Sequence, residues 1–341
     1  MHKYQMILLL PWLIIFSGCE KKPETIRWAG QTMGTTYHIT LMAKTMPDER
    51  LVQIKEKVDS VLLEVNRQMS TYDPKSEISR FNQHKSTEAF PISSQFLKVL
   101  RKAQLVWELS DGAFDVTVAP LVRLWGFGYQ GVPRDIVASE DILGALEAVG
   151  MDKLIIGQGE ISKKIPDLEL DLSAIAKGFG VDEVASLLKN EGYPNILVEI
   201  GGEVFVSGHK HKREWILGID APNDSRLPGE IVQQRIQLTD AGIASSGDYR
   251  NFYMQGGNRL SHTIDPRTGR PIGHHLASVT IIAPDCGLAD AIATAFMVLG
   301  EKSGLQLVSK LPDVEAYLIM REQEGQFIAR ATAGFEKIMI P

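Results

Sequence analysis

NILVEIGGEVFVSG (195–208) reads as two short strands interrupted by the paired glycines Gly201 and Gly202. Directly before it, IAKGFGVDEVASLLKNEG (175–192) carries helical periodicity and stops at Gly192, and LELDLSA (168–174) before that reads as a strand. Strand, helix and two more strands in so short a span point to a mixed α/β domain. Outward from this centre, TYHITLMA (36–43) alternates as a strand. DERLVQIKEKVDSVLLEVNRQM (48–69) has apolar residues at helical spacing, with Asp48 placed to cap or complement its start. Further helices fit 94–109, ended by Asp111 and Gly112, and 139–149. Strands fit 214–220, 277–283, 314–320 and 326–332, so antiparallel pairing is expected in the later half. No internal repeat or low-complexity block marks a second module.

With 341 residues, 44% hydrophobic and 23% charged, the chain can bury a full core, which excludes the disordered and fibrous classes. The formal charge of -6 and the lack of a basic block argue against a nucleic-acid partner held by phosphate contacts. Proteins and small molecules are the expected partners.

At the N-terminus, MHKY places one lysine before the apolar run MILLLPWLIIF, and small residues follow in FSGC (16–19). That is the pattern of a signal peptide, residues 1–18, and the run is too short for a comfortable membrane span. Cys19 after Ser17 and Gly18 resembles a bacterial lipobox, with Phe16 in place of the usual leucine. The expectation is a lipidated Cys19 giving membrane affinity, a tether over 19–31, and a folded domain over 32–341. Only Cys286 is then left, so no disulfide framework forms and this thiol is expected to be packing.

LADAIATAFMVLG (288–300) is an almost wholly apolar helix carrying one acid, Asp290, with Thr294 four positions on and so on the same face. A carboxylate buried without compensation is costly. Two answers stand equal on the residues alone. Asp290 accepts a hydrogen bond from a neighbouring segment or complements a helix dipole; or it meets a hard cation, for which carboxylate and hydroxyl oxygens are suited.

Eight segments appear in one order: MGTTY (33–37), STYDPKSEISRFN (70–82), DGAFDVTVAPLVRLWGFG (111–128), DLSAIAKGFGVD (171–182), EIGGEV (199–204), SGDYRNF (246–252), SHTIDPRTGRP (261–271) and the Asp290 helix. Together they closely resemble the ApbE family of FAD:protein FMN transferases, from about Thr32 to the C-terminus. The resemblance implies a single α/β (α+β) domain with a mixed, largely antiparallel sheet core and flanking helices. It implies an enzyme, usually lipid-anchored and periplasmic, that splits FAD, attaches FMN to a threonine or serine hydroxyl of a target protein through a phosphoester, and releases AMP. Family targets are subunits of Na⁺-translocating NADH:quinone reductase and Rnf-type complexes, hence an expected place on the periplasmic side of the inner membrane.

Carried over by residue, the resemblance implies Mg²⁺ ligands at Asp290, Thr294 and the main-chain carbonyl of Ala174. It implies FAD contacts at Met33, Tyr72, Ala113, Phe114, Asp115, Asp171, Lys177 and Ile264. Met33 and Tyr72 offer polarizable and aromatic surface to a flat ring, Lys177 can bring positive charge to phosphate, and Asp115 and Asp171 can accept from ring or ribose donors. Phe114 and Ile264 read equally well as core. For the base the candidate is His262, whose imidazole titrates near working pH; on spacing alone it reads as a histidine organising the following turn. Arg267 is the candidate to steady phosphate oxygens. A pyrophosphatase passing FMN to water, and a lipoprotein that only binds flavin, are the competing functions.

Other signals are set aside. GFGYQG (126–131) satisfies G-x-G-x-x-G, but Pro133 follows and no helix opens there. His209 and His211 fit a solvated hairpin tip. Glu199, Gly201, Gly202 and Glu203 suit ligand contact and a tight strand turn equally, and stay outside the expected site.

Overall fold

The structure is a computed structural model that describes residues 23–128, 137–222, 231–248, 252–255, 258–322 and 326–341. Its first third forms β1 (Glu24–Thr32), β2 (Thr35–Ala43), α1 (Asp48–Met69), α2 (Glu77–Gln83), β3 (Phe90–Pro91) and α3 (Ser94–Leu109). Next come α4 (Ala119–Leu124), α5 (Ser139–Glu147), β4 (Leu154–Ile156), β5 (Glu160–Lys163) and α6 (Ala176–Asn190). Then follow β6 (Ile196–Ile200), β7 (Glu203–Ser207), β8 (Trp215–Asp220), β9 (Val232–Leu238) and β10 (Ala241–Gly247). Short pairs β11 (Phe252–Gln255) with β12 (Asn258–Ser261) and β13 (Ile264–Asp265) with β14 (Arg270–Pro271) precede β15 (Leu276–Ala283). The chain closes with α7 (Cys286–Val308), β16 (Glu315–Arg321), β17 (Phe327–Ala331), α8 (Ala333–Glu336) and β18 (Met339–Ile340).

An eight-stranded sheet in the order β1-β2-β6-β7-β10-β15-β16-β17 organises the molecule. Every pairing in it is antiparallel, beyond the later half that the sequence suggests. Period-two alternation splits its side chains between two cores. Val279, Ile281 and Ala283 of β15, with Ala316, Leu318 and Met320 of β16, join a cluster that includes α7. Ile282, Tyr317 and Ile319 face the other way, towards Trp215, Ile219, Ile236 and Phe335 of the β18-β9-β8 sheet and α8. At the other end of the large sheet, Tyr37, Ile39, Ile196 and Val198 pack with Ile54 and Val58 of α1 and Val181 and Val184 of α6. The mixed fold with flanking helices is therefore observed, as a sheet buried on both faces.

Three expectations need correction. The tether over 19–31 extends too far: Glu24–Thr32 is β1, paired along its length with β2. Residues 1–18 and Cys19 lie outside the described residues. LELDLSA forms no strand; Leu168, Leu170 and Leu172 are wholly buried, but Leu170 pairs with a side chain, donating from N to Asn82 Oδ1 (2.8 Å) and accepting from Asn82 Nδ2 (2.8 Å). The apolar helix starts at Cys286 and its helical run is broken at Gly300, where φ is 72° and His274 Nε2 lies 2.6 Å from the Met297 carbonyl. His209 and His211 do sit at a β7–β8 turn closed by the Lys210–Arg213 bridge. Tyr129–Gly131 and Pro133 lie outside the described residues. Among the described residues no helix is long and apolar enough to cross a membrane.

Candidate active site

Three turns meet at the N-terminus of α6. The first is the β1–β2 hairpin, whose two turn residues Met33 and Gly34 both have positive φ (49° and 72°), as a two-residue antiparallel turn requires. Met33 folds back on α6: a Cβ on Gly180 would lie 2.8 Å from its Cε. A hollow of about 470 Å³ is lined by Gln31 to Thr36 along this hairpin. The second is the β6–β7 turn, with φ of 61° at Gly201 and 107° at Gly202, held by Gly202 N donating to Glu199 Oε1 (2.7 Å). A Cβ at Gly201 would fall 2.8 Å from Thr35 Cγ2 and 3.5 Å from Lys177 Cδ, so the glycine makes room for the lysine stem. The third is the turn Ser173–Ile175, in which Asp171 Oδ1 accepts from Ser173 N (2.8 Å) and Ala174 stands just before the helix.

No side chain of its own caps α6. Instead Gly178 N donates to Asp290 Oδ2 across the helix–helix contact (3.1 Å). Asp290, 3% exposed, thus satisfies one orphan donor of a neighbouring helix, while Asp285 caps its own (Leu288 N to Oδ1, 2.7 Å). The hydrogen bond is reciprocated. Asp182 of α6 accepts from Cys286 N (2.8 Å) and Gly287 N (2.9 Å) in the first turn of α7. The helices approach so closely that a Cβ at Gly178 would sit 2.4 Å from the Cys286 carbonyl oxygen. Lys102 bridges Asp182 and Asp285 from α3. Burial pushes the Asp182 carboxyl up to about 7, Lys102 pulling it down and Asp285 adding to the rise.

Inside this frame Lys177 stands between two carboxylates, with Nζ 3.1 Å from Glu203 Oε1 and 3.7 Å from Asp290 Oδ2. Glu203 is 4% exposed on β7, and its Oε2 is buried with no hydrogen-bond partner. Burial pushes the Glu203 carboxyl up against the pull of Lys177, the Asp290 charge adding to the rise. Burial draws the Lys177 ammonium down, but the Asp290 and Glu203 carboxylates more than offset this and hold it above its ordinary value. Two carboxylates and one ammonium leave the cluster one positive charge short. One turn beyond Asp290, Thr294 Oγ1 lies 3.4 Å from Ser246 Oγ of β10.

This donor set fits a hard cation. Carboxylate, hydroxyl and carbonyl oxygens are what Mg²⁺ takes, it keeps positions for phosphate oxygens, and the unpartnered Glu203 oxygen marks unmet demand for positive charge. Among the described residues no group of three or more His, Cys, Asp or Glu could hold a metal ion, which leaves the hydroxyl and carbonyl donors needed to complete any site here.

A second group lies along the Asp265–Gly269 turn. Gly269 N donates to Asp265 O (2.8 Å), and Trp125 Nε1 pins the turn through Gly269 O (2.8 Å). Arg267 grips Asp265 with Nε and Nη2, each 2.9 Å from a carboxylate oxygen, leaving Nη1 outside that fork. Ile264 is buried with Leu121 and Trp125, which is its core reading. The His262 ring stands edge-on to Phe127, centroids 6.4 Å apart. Gly112 lies against the Arg267 stem, a Cβ there being 3.8 Å from Cγ, which joins this turn to the loop of Ala113, Phe114 and Asp115. Asp171 N, donating to Val116 O (2.7 Å), links that loop to the start of α6.

The other expected contact residues are placed as follows. Phe114 is buried in the main core with Phe179 and Ala176. Asp115 organises its loop, Oδ1 accepting from Thr117 N (2.8 Å) and Thr117 Oγ1 (2.6 Å) and Oδ2 from Met151 N (2.9 Å). Tyr72 lies exposed on the turn after α1. Glu203 and Ser246, outside the expected site, are brought beside Lys177 and Thr294 by the fold. Glu203 had a signal: it shares the period-two face of Phe205 in a strand whose partners are apolar.

A model described as the ApbE family matches residues 33–318. The chain is 42% identical to the FAD:protein FMN transferase of Vibrio cholerae serotype O1, covering 98% of each chain, and 38% identical to that of Haemophilus influenzae, covering 97% and 96%. Among solved structures, the flavin transferase ApbE from Vibrio cholerae superposes with a TM-score of 0.83 at 40% identity, covering 93% of this chain and 99% of that one. The Pseudomonas stutzeri flavinyl transferase ApbE, apo form, gives 0.84 at 34% identity, covering 93% and 97%.

Proposed function

The chain belongs to the ApbE family, and on that footing we propose that it is a Mg²⁺-dependent FAD:protein FMN transferase. The observation that carries this reading is the buried Lys177–Asp290–Glu203 cluster at the N-terminus of α6, in which one ammonium faces two carboxyl groups and Glu203 Oε2 has no partner. Helix N-termini and lysines favour phosphate, so a dinucleotide's diphosphate belongs at this end of α6.

Asp290, Thr294 and the Ala174 carbonyl would hold Mg²⁺, which supplies charge neutralisation on the diphosphate. The chain's residues do the rest. Lys177 brings an ammonium to the same oxygens, and Arg267, its fork fixed by Asp265, presents Nη1 to phosphate. Met33, held against Gly180, gives a polarizable face at the hairpin hollow for part of the flavin. The acceptor's threonine or serine Oγ attacks the FMN phosphorus, the P–O bond to the AMP half breaks, and AMP leaves with the bridging oxygen. His262 takes the hydroxyl proton as that bond forms. The acceptor is a subunit of a Na⁺-translocating NADH:quinone reductase or Rnf-type complex, reached from the periplasmic side of the inner membrane by a chain anchored through lipidated Cys19.

The test is incubation with FAD, Mg²⁺ and a peptide bearing an acceptor threonine, followed by mass spectrometry. A peptide gaining the mass of FMN, with AMP released, is expected. Free FMN and AMP with unmodified peptide would replace transfer by hydrolysis, and intact FAD would leave only a binding protein.

A further inference from the structure

Glu203 is the buried group that this mechanism does not use. It begins β7 directly after the Gly201–Gly202 turn, and that turn is fixed from both sides, by Glu199 Oε1 on Gly202 N and by Gly201 N donating to Thr36 O (3.1 Å). The same turn receives the Lys177 stem at Gly201. Stem and head of the lysine are therefore both set by the β6–β7 corner, the head by Glu203 Oε1.

The two distances from Lys177 Nζ give this arrangement a consequence. The ammonium is closer to Glu203 (3.1 Å) than to Asp290 (3.7 Å), and those are the carboxylates within 4 Å of it among the described residues. A buried ammonium that loses one partner moves onto the other, because leaving it unpaired is far more costly. With Glu203 neutral, that other partner is Asp290, and a direct pair there would cancel the charge that a cation needs.

We propose that Glu203 is a positioning residue that draws the Lys177 ammonium away from Asp290 and so keeps the Asp290 carboxylate available to a divalent cation. The inference rests on the cation-dependent reading given above, and it assigns Glu203 no contact with the ion. It separates two tasks placed a few ångströms apart: Asp290 serves the cation, and Glu203 serves the lysine.

The test is a Mn²⁺ titration of the full chain with FAD present and acceptor absent, free Mn²⁺ being read by electron paramagnetic resonance. Wild type, Glu203→Gln, Glu203→Asp, Lys177→Met and the double variant Lys177→Met with Glu203→Gln are compared. Glu203→Gln is expected to weaken Mn²⁺ binding by roughly 10- to 100-fold, the range for partners that support a ligand, and Glu203→Asp to recover much of that loss. In the Lys177→Met background the glutamine is expected to change affinity by less than about twofold, because no ammonium remains to be misplaced.

An equal loss in both backgrounds would make Glu203 a ligand and overturn the proposal. So would an unchanged Mn²⁺ affinity with a lowered melting temperature, the mark of a merely structural carboxylate. A wild-type chain that binds no Mn²⁺ would bring down the cation site itself, and that result is read before any variant is compared.

Discussion

Replacing Gly178 with alanine tests the contact on which the candidate site is built. The added Cβ would lie 2.4 Å from the Cys286 carbonyl oxygen and 2.8 Å from Gly287 Cα, both backbone atoms that no rotamer change can move. Reaching an ordinary separation of about 3.4 Å requires α6 and α7 to part by about 1 Å, an overpacking cost near the upper end of the usual range, about 3 kcal/mol. The Gly178 N to Asp290 bond, 3.1 Å in the native contact, is lost with it, and a bond to a charged group is worth about 1.5 to 3 kcal/mol. Alanine returns about 1 kcal/mol of helix propensity. The net destabilisation is about 3.5 to 5 kcal/mol. At about 2.1 cal/mol/K per residue over 341 residues, this lowers the melting temperature by about 5 to 7 °C. Gly144→Ala is the control: it sits in α5 with nothing within 4 Å of its Cβ position, and a rise of about 1 °C is expected. Thermal unfolding followed by circular dichroism reads both, and FAD turnover is expected to fall about 100-fold for Gly178→Ala as Asp290 shifts. A Gly178→Ala protein as stable as the Gly144→Ala protein would refute the close α6–α7 contact and the placement of Asp290 derived from it.

Asp290→Asn keeps the shape and the Gly178 bond but removes a charge, so FAD turnover at saturating Mg²⁺ is expected to drop by at least about 100-fold while FAD still binds, as measured by fluorescence titration. His262→Gln is expected to lower the rate of transfer to a threonine peptide by about 10²- to 10⁴-fold with FAD affinity within about twofold; an unchanged rate would remove the histidine as base. Lys163 is 1% exposed, its ammonium 4.5 Å from the Phe81 ring centroid, and burial draws it down to about 8. The unfolded chain, with an ordinary lysine value of about 10.4, binds more protons between the two values, so stability rises with pH across that window. Lys163→Met is therefore expected to stabilise the protein by about 1 to 3 kcal/mol at pH 7, the gain shrinking as pH climbs from about 8 towards 10.4, in urea unfolding at several pH values.

The segments that the sequence reads correctly are those with a strong period and clear ends. DERLVQIKEKVDSVLLEVNRQM becomes α1 over the expected residues because Ile54, Val58, Leu62 and Val65 all fall on one buried face. LELDLSA misleads for a physical reason: its leucines alternate into a core as a strand's would, but the backbone is satisfied by the Asn82 amide, an acceptor and donor 88 residues away that no local pattern announces. AGIASSG (241–247), left unassigned, is β10 of the large sheet. Its small residues are there because α7 begins on top of it: a Cβ at Gly242 would lie 2.2 Å from Cys286 N. The site divides in the same way. The Asp290–Thr294 spacing is written along one helix, whereas the company Asp290 keeps, Gly178 from α6 and Lys177 with Glu203 behind it, comes from elements that only the fold brings together.

Of the two answers for Asp290 on sequence alone, the hydrogen bond is observed, and it does not compete with the proposed cation. As an acceptor for Gly178, the carboxylate completes the N-terminus of α6, which offsets part of the cost of its burial. That bond occupies one oxygen, and the nearest ammonium is shared with Glu203, so the cluster stays short of positive charge even when both helices are satisfied. A loose scaffold would relieve this by turning one acid out to water. Here the two helices are held by Asp182 on the first turn of α7, by Asp290 on the first turn of α6, and by glycines that leave no gap between the backbones. The acids cannot retreat, and the raised Glu203 carboxyl registers the strain of holding them together. Two carboxyl groups fixed where only a cation or a proton can balance them are a preorganised arrangement, and it is this arrangement that the proposed Mg²⁺ site would draw on.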